Sequence, residues 1–179
     1  VTPDEVRAAY DAVPSEVVEA LKFAAGRIRQ YHEQQLRGAL FTFNQGGLGQ
    51  VVRPIERVQV WARRPAQAEA LAARWRDDGL DAMATTDLAG AVAAADVVSC
   101  ATLATAPLLQ GAWLRPGSHL DLIGSFTPQM READDACFSG ARVYVDTDEA
   151  LRKSGDLLAP VARGAWDAGM LCGTLAGLS

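Results

Sequence analysis

Apolar positions change period along the chain, and the changes mark its elements. Over the first 36 residues they recur at helical spacing. Thr2 followed by Pro3, Asp4 and Glu5 makes one helix start, a hydroxyl cap ahead of a proline and acids that face the dipole. Pro14, Ser15 and Glu16 make a second. Beyond it Val17, Val18, Leu21, Ala24, Ala25, Ile28 and Tyr31 fall on one face, with Glu, Lys and Arg on the other. This is an amphipathic helix in need of a surface to cover. Further on the period shortens. Strand patterns recur at Arg57–Ala62, Asp81–Ala84, Asp96–Ala101, His119–Gly124 and Arg142–Asp146, with helical patterns or polar crossovers between them, including a helix over Ala66–Asp77. Such alternation predicts an α/β fold whose sheet is mostly parallel and covered by helices.

In a sheet of that kind ligands gather at the carboxyl ends of the strands. The reading is therefore a helical extension over residues 1–38 and a Rossmann-like, dinucleotide-binding domain over residues 39–179. Its first βα unit is incomplete. Ala39–Phe43 reads as a first strand, and "NQGGLGQ" (residues 44–50) stands where a phosphate loop belongs. From Gly49 to Arg57, however, only residues 50–56 remain, and they include Pro54. A parallel crossover with its helix takes about 10–12 residues or more. The helix whose first amides would hold a pyrophosphate cannot form normally there. Gly46, Gly47 and Gly49 fit a flexible loop or hairpin turn better than a phosphate cradle.

Composition removes several classes. A net charge of −5, with no basic cluster interleaved with aromatics, argues against a nucleic-acid partner. Three cysteines without a pairing pattern suit a reducing cytoplasm; Cys100 and Cys172 read as small core residues. No apolar run approaches the roughly 18 residues that a membrane span takes. His32 beside Glu33 reads as a capping or surface residue, and with no second ligand at useful spacing no metal site is expected.

Three strand ends carry candidate chemistry. After Ala62 come Arg63 and Arg64, where a dinucleotide fold meets the adenosine ribose. An acid there would take the 2′-hydroxyl; arginine favours a 2′-phosphate, hence NADP(H) over NAD(H). The plain alternative is two solvated arginines at a helix N-terminus. After Ala101 come Thr102, Leu103, Ala104 and Thr105, small enough for a ribose to approach, or an ordinary turn. The fourth pattern ends at Gly124, with Ser125 after it, and Gly124 would admit a nicotinamide close to the backbone. His119 reads as structural. Asp156 reads as the start of a short helix, and the Gly-, Ala- and Leu-rich tail after Trp166 as apolar surface that promotes self-association.

Two resemblances sharpen this. "VTPDEVRAAYDAVPSEVVEALKFAAGRIRQYHEQQ" and "LGQVVRPIERV" (within residues 1–58) resemble the histidinol dehydrogenases, although the zinc ligands and the acid/base pair which that family implies have no counterpart here. "RPIERVQVWARRPAQAEALAARW", "ADVVSCATLATAPLLQGAWLRPGSHLDLIGSFTPQMREADD" and "ARVYVDTDEALRKSGDL" (residues 53–160) are similar to the ornithine cyclodeaminase/mu-crystallin family. The chain thus resembles a splice of two dehydrogenase types. The second resemblance implies an arginine for NADPH at Arg63 and cofactor contact at Thr102. It also implies an aspartate in true cyclodeaminases at the position of Phe126. Phenylalanine cannot accept a proton, so cyclodeamination by that route is excluded.

"GSFTPQMREAD" is instead similar to relatives that reduce cyclic imines of the Δ1-pyrroline-2-carboxylate type. A protonated imine is already an electrophile, so hydride delivery needs no dedicated acid. No catalytic residue is assigned, and the family's substrate-clamping domain has no counterpart in these residues. The expectation is an NAD(P)H-dependent oxidoreductase acting on a small molecule, with Arg63, Arg64, Thr102, Leu103, Gly124 and Ser125 at the cofactor. The alternatives are a non-catalytic or chimeric nucleotide-fold protein and a histidinol dehydrogenase-related fragment.

Overall fold

The computed structural model describes residues 39–45 and 55–174. The helices expected before residue 39 lie outside them, as do Gly46, Gly47 and Gly49. Seven strands are described, β1 (Ala39–Gln45), β2 (Ile55–Ala62), β3 (Ala82–Ala84), β4 (Val97–Ala101), β5 (His119–Leu122), β6 (Tyr144–Val145) and β7 (Gly173–Thr174). Four helices accompany them, α1 (Pro65–Asp77), α2 (Leu88–Ala94), α3 (Ala150–Lys153) and α4 (Gly155–Ala162).

The main sheet has the order β3-β2-β1-β4-β5. Strands β2 and β3 are parallel, as are β4 and β5. Central β1 runs against both of its neighbours, with Ala39 opposite Ala62 on one side and Ala101 on the other. Four strands therefore point one way and the middle one points back. Gln45 faces Ile55, so the chain leaves β1 and enters β2 at the same edge. This is the hairpin arrangement that the short connection predicts.

Helix α1 forms because Ala68, Leu71, Ala72 and Trp75 recur at helical spacing and are all buried, with Pro65 in the first turn. They pack against Val58, Val60 and Ala62 of β2. Burying Leu71 contributes about 1.5–3 kcal/mol. Gly79, at φ +87°, ends the helix, and the next residue's Leu80 N–H donates back to the Trp75 carbonyl at 2.9 Å. A second cluster on the other face joins Val98 and Cys100 of β4 to Leu109, Phe138, Leu157 and Trp166.

One expected strand is misplaced. The pattern at Arg142–Asp146 yields only Tyr144–Val145, which pairs in parallel with Gly173–Thr174 in a separate small sheet. The reason is the connection after β5. It runs through turns and a short 3-10 segment, Asp135–Phe138, with no covering helix to bring the chain back alongside β5.

Candidate functional site

The carboxyl ends of β2, β4 and β5 lie at one edge of the sheet, and each delivers residues singled out by the sequence. Arg63 and Arg64 follow β2. Both are exposed, and among the described residues neither guanidinium has a hydrogen bond or an ion pair. The Arg64 carbonyl accepts the Gln67 N–H at 2.9 Å, so Arg64 begins α1, whose first turn holds no acid. The edge of β2 is thus cationic.

The ends of β4 and β5 are tied to each other by a residue that sequence reasoning did not single out. Glu132 is fully buried. Its Oε1 accepts the Thr102 N–H at 2.5 Å and the Thr102 hydroxyl at 2.6 Å, and its Oε2 accepts the Gly124 N–H at 2.7 Å. One carboxyl therefore satisfies three buried donors from two strand ends, which would otherwise each be costly. Burial pushes its pKa up from the usual value to about 7, against the pull of those hydrogen bonds.

A second acid holds the loop that carries Glu132. The Oδ1 of Asp156 accepts the Glu132 N–H at 2.9 Å and the Ala133 N–H at 3.0 Å. Burial again raises the carboxyl's pKa, with those two amides and the Arg131 charge pulling the other way. Ser125 links this to the strand end. Its hydroxyl donates to the Met130 carbonyl at 2.7 Å and accepts from the Asp156 N–H at 3.0 Å and the Ser154 hydroxyl at 3.1 Å. Asp156 does open α4 as expected, but as a buried anchor for the preceding loop rather than a solvated cap.

The structure therefore brings Thr102, Gly124 and Ser125 together, with Leu103 half-buried beside them. It gives the glycine at 124 a reason of its own. A Cβ there would stand 1.8 Å from the Thr102 carbonyl oxygen and 2.3 Å from Glu132 Oε1. Phe126, 55% exposed, lies just past the end of β5 and offers no proton chemistry. His119, half-buried at the start of β5, has a pKa lowered by burial. Arg63 and Arg64 are separated from the Glu132 group by the end of β1 at Ala39. Gly46, Gly47 and Gly49 lie outside the described residues; Gln45 and Ile55, which flank them in the chain, pair at the opposite edge of the sheet.

Glu132 escaped the sequence reading because "MREADD" looks like an ordinary polar loop. Acids in such loops are solvated as a rule, and only the folded contacts reveal one that is buried.

Comparison with known proteins adds the lineage. The model of the ornithine cyclodeaminase/mu-crystallin family matches residues 40–172. The chain belongs to that family. A histidinol dehydrogenase model matches residues 1–69 and overlaps the first. A Δ1-pyrroline-2-carboxylate reductase of Paracoccus denitrificans is 48% identical over 126 residues, covering 70% of this chain and 40% of the relative. A rat ketimine reductase mu-crystallin is 38% identical over 102 residues, 56% of this chain and 32% of the relative. Among solved structures, a Thermococcus litoralis Δ1-pyrroline-2-carboxylate reductase in complex with NADH and L-proline superposes with a TM-score of 0.67 at 29% identity. That superposition covers 70% of this chain and 39% of the solved one. The chain thus spans about two fifths or less of the family members it matches.

Proposed function

We propose that the chain carries the nicotinamide-nucleotide domain of an oxidoreductase that reduces cyclic imines bearing a carboxylate, of the Δ1-pyrroline-2-carboxylate type. What carries the reading is the edge formed by β2, β4 and β5, where the adenosine ribose would sit beside two arginines that have no ion pair and no neighbouring acid in the first turn of α1 among the described residues. The named relatives support the imine class. Phe126 supports it too, since it removes the proton acceptor that cyclodeamination requires. The preference for NADPH over NADH rests on Arg63 and Arg64, and the solved relative above was captured with NADH. Direct contact falls to Arg63 and Arg64, while Thr102, Gly124 and Ser125, with Leu103 beside them, hold the edge in shape.

The fit to a dinucleotide is partial. The adenosine end has its cations, but the reversed β1 offers no helix N-terminus to a pyrophosphate. No chemical step is assigned to a side chain. This same observation favours a second reading, a nucleotide-fold protein that does not turn over. Fluorescence titration with NADPH and NADH separates the two. The reductase reading expects submillimolar NADPH binding, weaker binding of NADH, and a loss of about fivefold or more for NADPH in Arg63→Ala. Flat titrations with both nucleotides refute it. NADPH oxidation with Δ1-pyrroline-2-carboxylate is expected to be weak or undetectable for this chain by itself.

A further inference from the structure

Three observations at the cofactor edge converge on which part of a dinucleotide it can hold. The first is the direction of β1. In an open α/β sheet the pyrophosphate lies at the switch point, against the amides of the helix that follows the central strand. Here β1 occupies that central place between β2 and β4. Its amino end, Ala39, stands at their carboxyl ends, opposite Ala62 and Ala101. A helix can follow only from the carboxyl end of a strand, and for β1 that end is Gln45, at the far edge.

The second observation concerns the donors that remain. At the tips of β4 and β5 the Thr102 N–H, the Thr102 hydroxyl and the Gly124 N–H are all donated to Glu132, and the Ser125 hydroxyl is spent on Met130. Glu132 itself, when ionised, would repel a phosphate. The third is the contrast at β2, where Arg63 and Arg64 are exposed and uncommitted among the described residues.

Building on the nucleotide reading above, we infer that this chain engages a nicotinamide dinucleotide through its 2′-phosphorylated adenosine end alone, the described residues offering no pyrophosphate grip. The phosphate-ribose-nicotinamide half then adds no affinity. Adenosine 2′-monophosphate binds within about threefold of NADPH.

The test uses the full chain and two measurements. Isothermal titration with adenosine 2′-monophosphate and with NADPH gives the ratio of affinities. In parallel, NMR of labelled protein reads strand direction. The pairs Phe41/Val60 and Thr42/Gln59 face each other in the antiparallel register. One of the two is a close, non-hydrogen-bonded pair, so one short Hα–Hα contact is expected. A ratio near one together with that contact supports the inference. NADPH binding tenfold or more tighter than adenosine 2′-monophosphate overturns it and leaves the nucleotide reading standing. Absence of the Hα–Hα contact also overturns it. If neither ligand binds at millimolar concentration, the inference and the nucleotide reading fall together.

Discussion

Removing the carboxyl of Glu132 is the sharpest perturbation of this edge. Glu132→Ala leaves the Thr102 N–H, the Thr102 hydroxyl and the Gly124 N–H without acceptors in a buried site. Each orphaned donor costs about 1–3 kcal/mol, so the gross loss is roughly 3–9 kcal/mol. Against this stands the relief of removing a buried charge. A carboxyl held at about 7 rather than its usual 4.5 carries about 3 kcal/mol of destabilisation at neutral pH. The net expectation is a loss of about 3 kcal/mol, a large share of the ~5–15 kcal/mol that holds a typical domain. Urea unfolding at pH 7, followed by the fluorescence of buried Trp75 and Trp166, measures it directly. Unchanged or increased stability would refute the claim that this carboxyl fastens β4 to β5.

The same network sets three further outcomes. Because folding raises the pKa of Glu132, its contribution is fully present below the unfolded value near 4.5 and is lost as pH rises through about 7. Stability should therefore fall by about 2–3 kcal/mol between pH 5 and pH 8; buried Asp156, also raised from its usual value, contributes with the same sign. In Glu132→Gln, denaturation across that range should show a markedly flatter profile; an unchanged slope would assign it elsewhere. Gly124→Ala drives a methyl into the Thr102 carbonyl and the Glu132 carboxyl, at an expected cost of about 3 kcal/mol in the same unfolding assay, and a neutral outcome would mean the strand ends part easily. Ser125→Ala orphans the Asp156 N–H at the start of α4 and should cost about 1–2 kcal/mol in thermal unfolding.

The parts legible in the sequence are those governed by local period. The spacing Ala68, Leu71, Ala72, Trp75 announces α1, and the apolar runs announce β2, β4 and β5 to within a residue or two. The parts hidden from it depend on contacts between distant segments. Glu132 meets Thr102 across 30 residues and Asp156 across 24. Nothing local distinguishes it from the neighbouring Asp134 and Asp135, which stay partly exposed. Likewise the Arg142–Asp146 pattern has real strand character, but its partner is Gly173–Thr174 and not β5. Gly124 reads from the sequence as a glycine placed for close approach. The neighbours that the structure sets against it are the Thr102 carbonyl and the Glu132 carboxyl.

Alternation at period two reads the same forwards and backwards, so the pattern of Ala39–Gln45 is silent about which way β1 runs. The signal lies in residues 46–54, too few for a crossover helix and ample for a hairpin. A family match over residues 40–172 is equally silent, since it scores residues and not directions. The residues of β2, β4 and β5 can therefore keep the family's character while the central strand is inverted between them. Keeping the order β3-β2-β1-β4-β5 preserves the hydrogen-bonded ladder on both sides, and the loss is local, the helix N-terminus at the switch point. Affinity for the two ends of a dinucleotide should then separate in this chain. On the proposal above, the adenosine end would depend on Arg63 and Arg64 after β2, whereas a pyrophosphate would depend on a helix that the reversed β1 cannot place at this edge.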